Sequence, residues 1–167
     1  MCSLAIGIGA TSAIYCIADA LLLRPLPVPK SGGVVAVTPI TDQVFAALST
    51  VSYPDYKDFR DRNQTFEGLV AASYSFFGFA LDRTTPPRMK FGMFVSGNFF
   101  RVLGVEPAIG RGFRLDEDQV AGRDAVVVLS YDLWVSEFSA RRSVIGEKLW
   151  LNGIELTVVG IIEVAPL

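Results

Sequence analysis

Residues 2–18, CSLAIGIGATSAIYCIA, carry no charge, and no other feature limits the fold of this chain as sharply. Seventeen uncharged residues are at the short end of what an α-helix needs to cross the apolar core of a bilayer. Asp19 interrupts the run, residues 21–23 (LLL) resume it, and Arg24-Pro25 stops a helix there. The expectation is a transmembrane helix over residues 1–24. Ala5, Gly9 and Ala13 recur at four-residue spacing, so small side chains share a stripe where a second helix can approach closely in lipid. Glycine and alanine are also simply common in apolar helices.

Other readings of this segment fit less well. A secretory signal peptide has a basic start, and no Lys or Arg precedes the run, although Ala18-Asp19-Ala20 loosely fits a cleavage site. A dinucleotide-binding loop at Gly7-Ile8-Gly9 lacks both a preceding strand and the third glycine. A buried helix of a soluble protein is the remaining rival. Arg24 and Lys30 follow the run, which taken literally keeps the later residues inside the cell. A basic segment lost from in front of the start would remove that conflict.

The side chains that are missing narrow the chemistry. The chain has no histidine, and its two cysteines, Cys2 and Cys16, both lie inside the apolar run. In a helix they stand about 21 Å apart, too far for a disulfide. Zinc sites, thiol catalysis and histidine triads are therefore out of reach. With 15 basic and 17 acidic residues there is no sign of the basic stripe that nucleic-acid binding needs. A hydrophobic fraction of 51% over 167 residues is enough to build a core.

Beyond the apolar run, Pro25, Pro27 and Pro29 make a stiff exit. Residues 33–38 (GVVAVT) read as a strand. Ser52 caps a helix over residues 53–62, with Asp55 at its third position and Tyr53, Tyr56 and Phe59 on one face. Residues 68–81 read as a strand bulged at Gly78, and residues 89–95 as another. Gly97-Asn98 opens a short helix that Gly104 ends, and residues 109–118 read as loop. Residues 126–129 form a buried strand, and Ser130 caps a helix over residues 131–140 with Trp134 and Phe138 one turn apart. Asn152-Gly153 is a two-residue hairpin turn between strands 147–151 and 154–162. In the last strand Ile154, Leu156, Val158 and Ile162 share a face. This order implies an α+β fold of two small subdomains.

The polar clusters read as structural. Asp116, Glu117 and Asp118 lack the spacing of a calcium loop and suit a solvated loop or helix start. Asp55 and Asp58 sit on an exposed helix edge. Ser96 and Ser130 have no histidine to activate them. Phe76, Phe77, Phe79, Phe91, Phe94, Phe99 and Phe100 read as core, with a partly exposed binding surface as the alternative. Arg83, Arg88 and Lys90 are too few among them for base stacking against a phosphate backbone.

The run LAIGIGATSAIYCIADALLLRPLPVP resembles the end of the first transmembrane helix of MacB-type ABC-transporter permeases, most of all the duplicated orphan permeases of acidobacteria. The resemblance continues through SYPDYKDFRDRNQTFEGL, VSGNFFRVLGVEPAIGRGF, VVVLSYDLW and VIGEKLWLNGIELTVVGII, in the family's order. It implies a transmembrane helix over residues 1–24 and a periplasmic core domain over residues 25–167. That domain would divide into a porter-like part, about 33–110, and a second subdomain, about 111–162. It also implies placement in the inner membrane, with residues after about 24 outside the cytoplasm. The implied partners are a separate cytoplasmic ATPase, a second copy or paired permease half, and a periplasmic adaptor.

The implied function is mechanotransmission, in which ATP hydrolysis in the cytoplasm moves a substrate or partner outside the membrane. The family's domain carries no catalytic residue, cofactor or metal, so none is expected here. The basic stretch before the first helix and the three later helices of the family are missing from the sequence. The chain accordingly reads as a fragment with an unpaired sheet edge. A membrane-anchored or secreted binding module for a lipid, peptide or adaptor is the alternative function. A hydrolase built on carboxylates such as Asp116 and Asp118 is the weakest reading.

Overall fold

Short-range chemistry sets most element boundaries. The computed structural model describes residues 33–37, 51–120 and 122–163. The expected membrane helix, with Ala5, Gly9 and Ala13, lies outside the described residues. Helix α1 (Tyr53–Arg62) starts where Ser52 accepts from the Asp55 N–H, leaving an acidic side chain in the first turn and Arg60 and Arg62 in the last. Of its expected apolar face only Tyr56 is buried, while Tyr53 and Phe59 are exposed.

Strands β1 (Ala72–Ala80) and β2 (Arg88–Val95) pair antiparallel from Ala72↔Val95 to Phe79↔Arg88. The register passes through Gly78↔Met89 unbroken, so the bulge expected at Gly78 is absent. The backbone of Gly78 is instead held by Asn152. Its N–H donates to Asn152 Oδ1 at 2.8 Å, and its carbonyl accepts from the Asn152 N–H at 2.9 Å. Helix α2 (Phe99–Leu103) closes on Gly104, whose φ of 67° is the left-handed cap the sequence implied.

Within the expected loop, Ile109–Gly110 forms a two-residue strand, β3. Strand β4 (Val126–Ser130) leads through Ser130, which caps α3 (Tyr131–Phe138) by accepting from the Leu133 N–H. The helix ends two residues earlier than its sequence pattern suggests. Ser139 and Ala140 turn left-handed, and their N–H groups close onto the carbonyls of Val135 and Trp134. A 3-10 turn (Arg142–Val144) then leads to the hairpin of β5 (Lys148–Leu151) and β6 (Ile154–Ile162). Both turn residues of that hairpin have positive φ, Asn152 at 52° and Gly153 at 80°.

Residues 33–37 depart from expectation. They take part in no strand pairing among the described residues, and Val34, Val35 and Val37 are exposed.

The strands join in one six-stranded sheet in the order β2-β1-β5-β6-β3, with β4 also on β6. Among the described residues all pairings are antiparallel except β4 with β6. The fold is thus α+β with a mostly antiparallel sheet. At Thr157 both β4 and β5 pair with β6, and at Ile161 both β4 and β3 do. A strand has two edges, so β5 and then β3 share the one opposite β4.

The register against β4 slips between Val127↔Val158 and Val128↔Gly160. One extra residue in β6 reverses the alternation of its side chains. The core partner after Val158 is therefore Ile161, not the expected Ile162. The core gathers Phe79, Leu129, Trp134, Phe138, Val144, Leu149, Val158 and Ile161, with α3 lying on β4 and β6.

Candidate interaction surface

The pleat divides the β1–β2 hairpin into two unlike faces. Side chains alternate along each strand, and directly paired residues share a side. Phe77 and Phe79 of β1, with Arg88, Lys90 and Phe94 of β2, therefore face one way. Phe79 meets Phe138 of α3 edge-on, and Phe77 meets Phe94 with ring centroids 4.9 Å apart. Phe77 lies over Gly92, where an added Cβ would come within 3.0 Å of its ring. Glu137 of α3 closes this side through ion pairs with Arg88 and, at 2.8 Å, Lys90. Hydrogen bonding from Lys90 leads in lowering the Glu137 pKa, with Arg88 helping and burial opposing.

The opposite face has no such cover among the described residues. Tyr74, Phe76, Met89, Phe91 and Met93 lie on it with relative exposures of 59, 64, 73, 65 and 38%. Phe91 stacks on Tyr74 at 5.5 Å and leans on Phe76 at 5.4 Å, so the rings form a continuous row. Together they bare on the order of 500 Å² of apolar surface, the size of patch that marks an interaction site on a soluble domain. Across from Ala80 on the same side stands Trp150, whose buried indole N–H has no partner among the described residues. This surface is suited to burying apolar area against a partner rather than to making or breaking bonds.

The expectation that the phenylalanines form core is therefore half right. Phe77 and Phe79 are buried, Phe99 and Phe100 are half-buried, and Phe76, Phe91 and Phe94 are exposed. Sequence reasoning missed Tyr74, Met89 and Met93 as members of the stripe. The signal was present: positions 74 and 76 and positions 89, 91 and 93 alternate at period two.

The expected polar residues have structural work. Ser96 and Asn98 are buried in a knot that ties α1 to the hairpin. Asn98 Oδ1 accepts from Ser96 Oγ at 2.7 Å and from the Tyr56 hydroxyl at 2.9 Å, while its Nδ2 donates to the Leu69 carbonyl at 2.8 Å. Asp118 accepts from the Tyr53 hydroxyl at 2.6 Å and from the Gly97 N–H at 2.9 Å. Burial works to raise the Asp118 pKa, but these hydrogen bonds outweigh it and the net shift is downward. Burial, followed by the same Asp118 contact, raises that of Tyr53.

Glu117 makes a two-pronged contact with Arg111 and accepts from the Arg114 N–H; its pKa is lowered by these bonds against the opposing effect of burial. Asp55 serves the cap of α1, and Ser130 that of α3. Asp58 borders an open groove of about 550 Å³ shared with Tyr53, Lys57 and Asp118. Among the described residues no group of three or more acidic, cysteine or histidine side chains could hold a metal ion. No helix among them is long and apolar enough to cross a membrane.

Comparison with known proteins agrees with this architecture. The described fold is similar to the crystal structure of the periplasmic region of MacB from Actinobacillus actinomycetemcomitans, with a TM-score of 0.53 at 18% sequence identity. The match covers 68% of this chain and 51% of that one, so the chain spans about half the length of the MacB region. The chain has no significant match among curated proteins. The family model described as the MacB-like periplasmic core domain matches residues 1–166, which include both the apolar run and the sheet. The chain belongs to the MacB-like periplasmic core domain family.

Proposed function

We propose that the chain is the extracytoplasmic domain of an ABC-type permease, anchored in the inner membrane by residues 1–24. In this reading it couples ATP hydrolysis on a separate cytoplasmic subunit to movement of a substrate or partner outside the membrane. The observation that carries the reading is the family match over residues 1–166, joining an apolar segment to a folded domain in one unit. The domain transmits force and performs no catalysis of its own. Residues of about 33–110 act as the porter-like part and about 111–162 as the second subdomain. The working unit is a homodimer or a paired permease half, with a periplasmic adaptor as a further partner.

The test is isolation of the tagged chain from cross-linked membranes. Recovery of an ABC ATPase, lost when residues 1–24 are exchanged for an unrelated membrane helix, supports the coupling. Recovery without any ATPase removes it. The bare apolar face favours a second reading, a membrane-anchored binding module for a lipid, peptide or adaptor, which needs no ATPase.

A further inference from the structure

Of the three asparagines, only Asn152 precedes a glycine; Asn63 and Asn98 precede Gln64 and Phe99. A backbone nitrogen that follows an asparagine can attack its carboxamide, and a glycine nitrogen is the least shielded. Asn152 and Gly153 are both exposed, and only chain neighbours come within 4 Å of a Cβ built on Gly153, so water and base can reach the pair. The fold opposes the reaction in two ways. Ring closure needs the Gly153 nitrogen on the same side of the Asn152 Cα–C bond as Cβ. The Asn152 φ of 52° is left-handed, where ψ is about +47° and that nitrogen lies nearly opposite Cβ. The carboxamide is also tethered. Its Oδ1 accepts from the Gly78 N–H at 2.8 Å, and the Asn152 N–H donates to the Gly78 carbonyl at 2.9 Å. Both polar groups of the Gly78 backbone go to Asn152, so neither is spent on the β2 ladder at Met89.

We propose that Asn152-Gly153 is a deamidation site that the folded sheet holds shut, and that it reacts only when the turn parts from Gly78 of β1. In the open turn, solvent hydroxide removes the Gly153 N–H proton and the nitrogen bonds to Asn152 Cγ. The carboxamide C–N bond breaks, and the amide nitrogen leaves as ammonia with a proton from water. Water then opens the five-membered imide at one of its two carbonyls. Opening at Cγ leaves an aspartate. Opening at the main-chain carbonyl leaves an isoaspartate, whose backbone runs through Cβ and Cγ. The aspartate can accept from the Gly78 N–H again. The isoaspartate instead adds a backbone atom to a two-residue turn whose flanks, Leu151 and Ile154, are paired. It is a lasting mark of each opening, and it loosens the junction of β1 with β5 at Phe79↔Leu151. The site depends on the described hairpin alone and not on the permease reading.

The experiment incubates the full 167-residue chain in detergent, folded or unfolded in urea, in mildly alkaline buffer made with heavy-oxygen water. Peptide mass spectrometry then follows label entering residue 152. Two hydrogen bonds of ordinary strength correspond to a factor of about thirty, so the folded chain should react at least that much more slowly than the unfolded one. Gly78→Pro removes the donor to Oδ1 and spares the β2 ladder. A Cβ built on Gly78 lies 3.4 Å from Pro87, an ordinary contact, so the ring has room. Labelling of the folded variant should rise about fivefold, the share of one hydrogen bond. Urea below the unfolding midpoint gives a second perturbation that needs no substitution: labelling and hydrogen exchange at the Gly78 amide should rise together. Equal rates in the folded and unfolded chains overturn the proposal. Labelling that stays constant while the Gly78 amide exchanges faster overturns it as well. After refolding, the isoaspartate fraction should unfold at lower urea than the parent, whereas Asn152→Asp should match it; an isoaspartate fraction as stable as the parent overturns the account of the turn.

Discussion

Asn98 is where one small side chain does the most to hold separate segments together. Its amide joins α1 through Tyr56, the chain before β1 through the Leu69 carbonyl, and the end of β2 through Ser96. Asn98→Ala removes all three hydrogen bonds, at about 1 kcal/mol each in net terms. The Tyr56 hydroxyl keeps an acceptor, the Leu69 carbonyl at 3.1 Å. Ser96 fares worse: its oxygen still accepts from the Ala71 N–H, but its proton loses its acceptor at a fully buried site. That adds about 1 kcal/mol, for a total near 4 kcal/mol.

Urea unfolding followed by Trp134 and Trp150 fluorescence measures the loss. With a slope of about 2 kcal/mol per M, the midpoint falls by about 2 M. Tyr56→Phe should cost about 1 kcal/mol, because Asn98 Oδ1 retains Ser96. The double mutant should fall short of the sum by about 1 kcal/mol, the energy of the bond both variants break. A midpoint shift below about 0.5 M for Asn98→Ala would refute the claim that this knot holds α1 to the hairpin.

Three further outcomes are expected. Gly160→Ala places a Cβ 2.2 Å from the Arg111 carbonyl oxygen, so β3 must move off β6 at a cost of about 3 kcal/mol; thermal unfolding indistinguishable from the parent would contradict this close approach. Asn152→Gly keeps the left-handed turn and loses only the bond to the Gly78 N–H, about 1 kcal/mol, whereas Asn152→Ala adds left-handed strain for about 2 kcal/mol in all; an Asn152→Gly variant as stable as the parent would show that the side chain does not hold β1, and equal costs for the two would remove the strain. Glu117, Asp118 and Glu137 all have folded pKa values below their unfolded ones, so their contribution is complete above an unfolded pKa of about 4 and is lost as pH falls through the lowered values. Denaturant midpoints should thus be level from pH 7 to about 5 and drop below about 4. Glu137→Gln should shrink that drop, and an unchanged profile would remove Glu137 from the account.

Local chemistry made much of this protein legible. Ser52 and Ser130 before apolar-periodic runs, Gly104 after one, and Asn152-Gly153 between two strands each satisfy a backbone demand within a few residues. Those elements lie where the sequence places them for that reason. The ordered motifs also carried the family, because their succession reflects the whole domain rather than any one contact.

Tertiary structure decided the rest. Period-two alternation in the β1–β2 hairpin marks apolar positions on both faces and cannot say which face α3 will cover. Glu137, about fifty residues away in sequence, makes that choice by pairing with Arg88 and Lys90, and so leaves Phe76 and Phe91 bare. The extra residue in β6 is equally invisible to alternation. It lies where β4 pairs along one edge of β6 while β5 and β3 follow each other along the opposite edge. Asp118 looked like part of an acidic loop until folding brought Tyr53 and Gly97 to it. A sequence determines the structures whose partners lie within a turn or two along the chain. Contacts across dozens of residues depend on which of several apolar faces is buried, and only the folded sheet settles that.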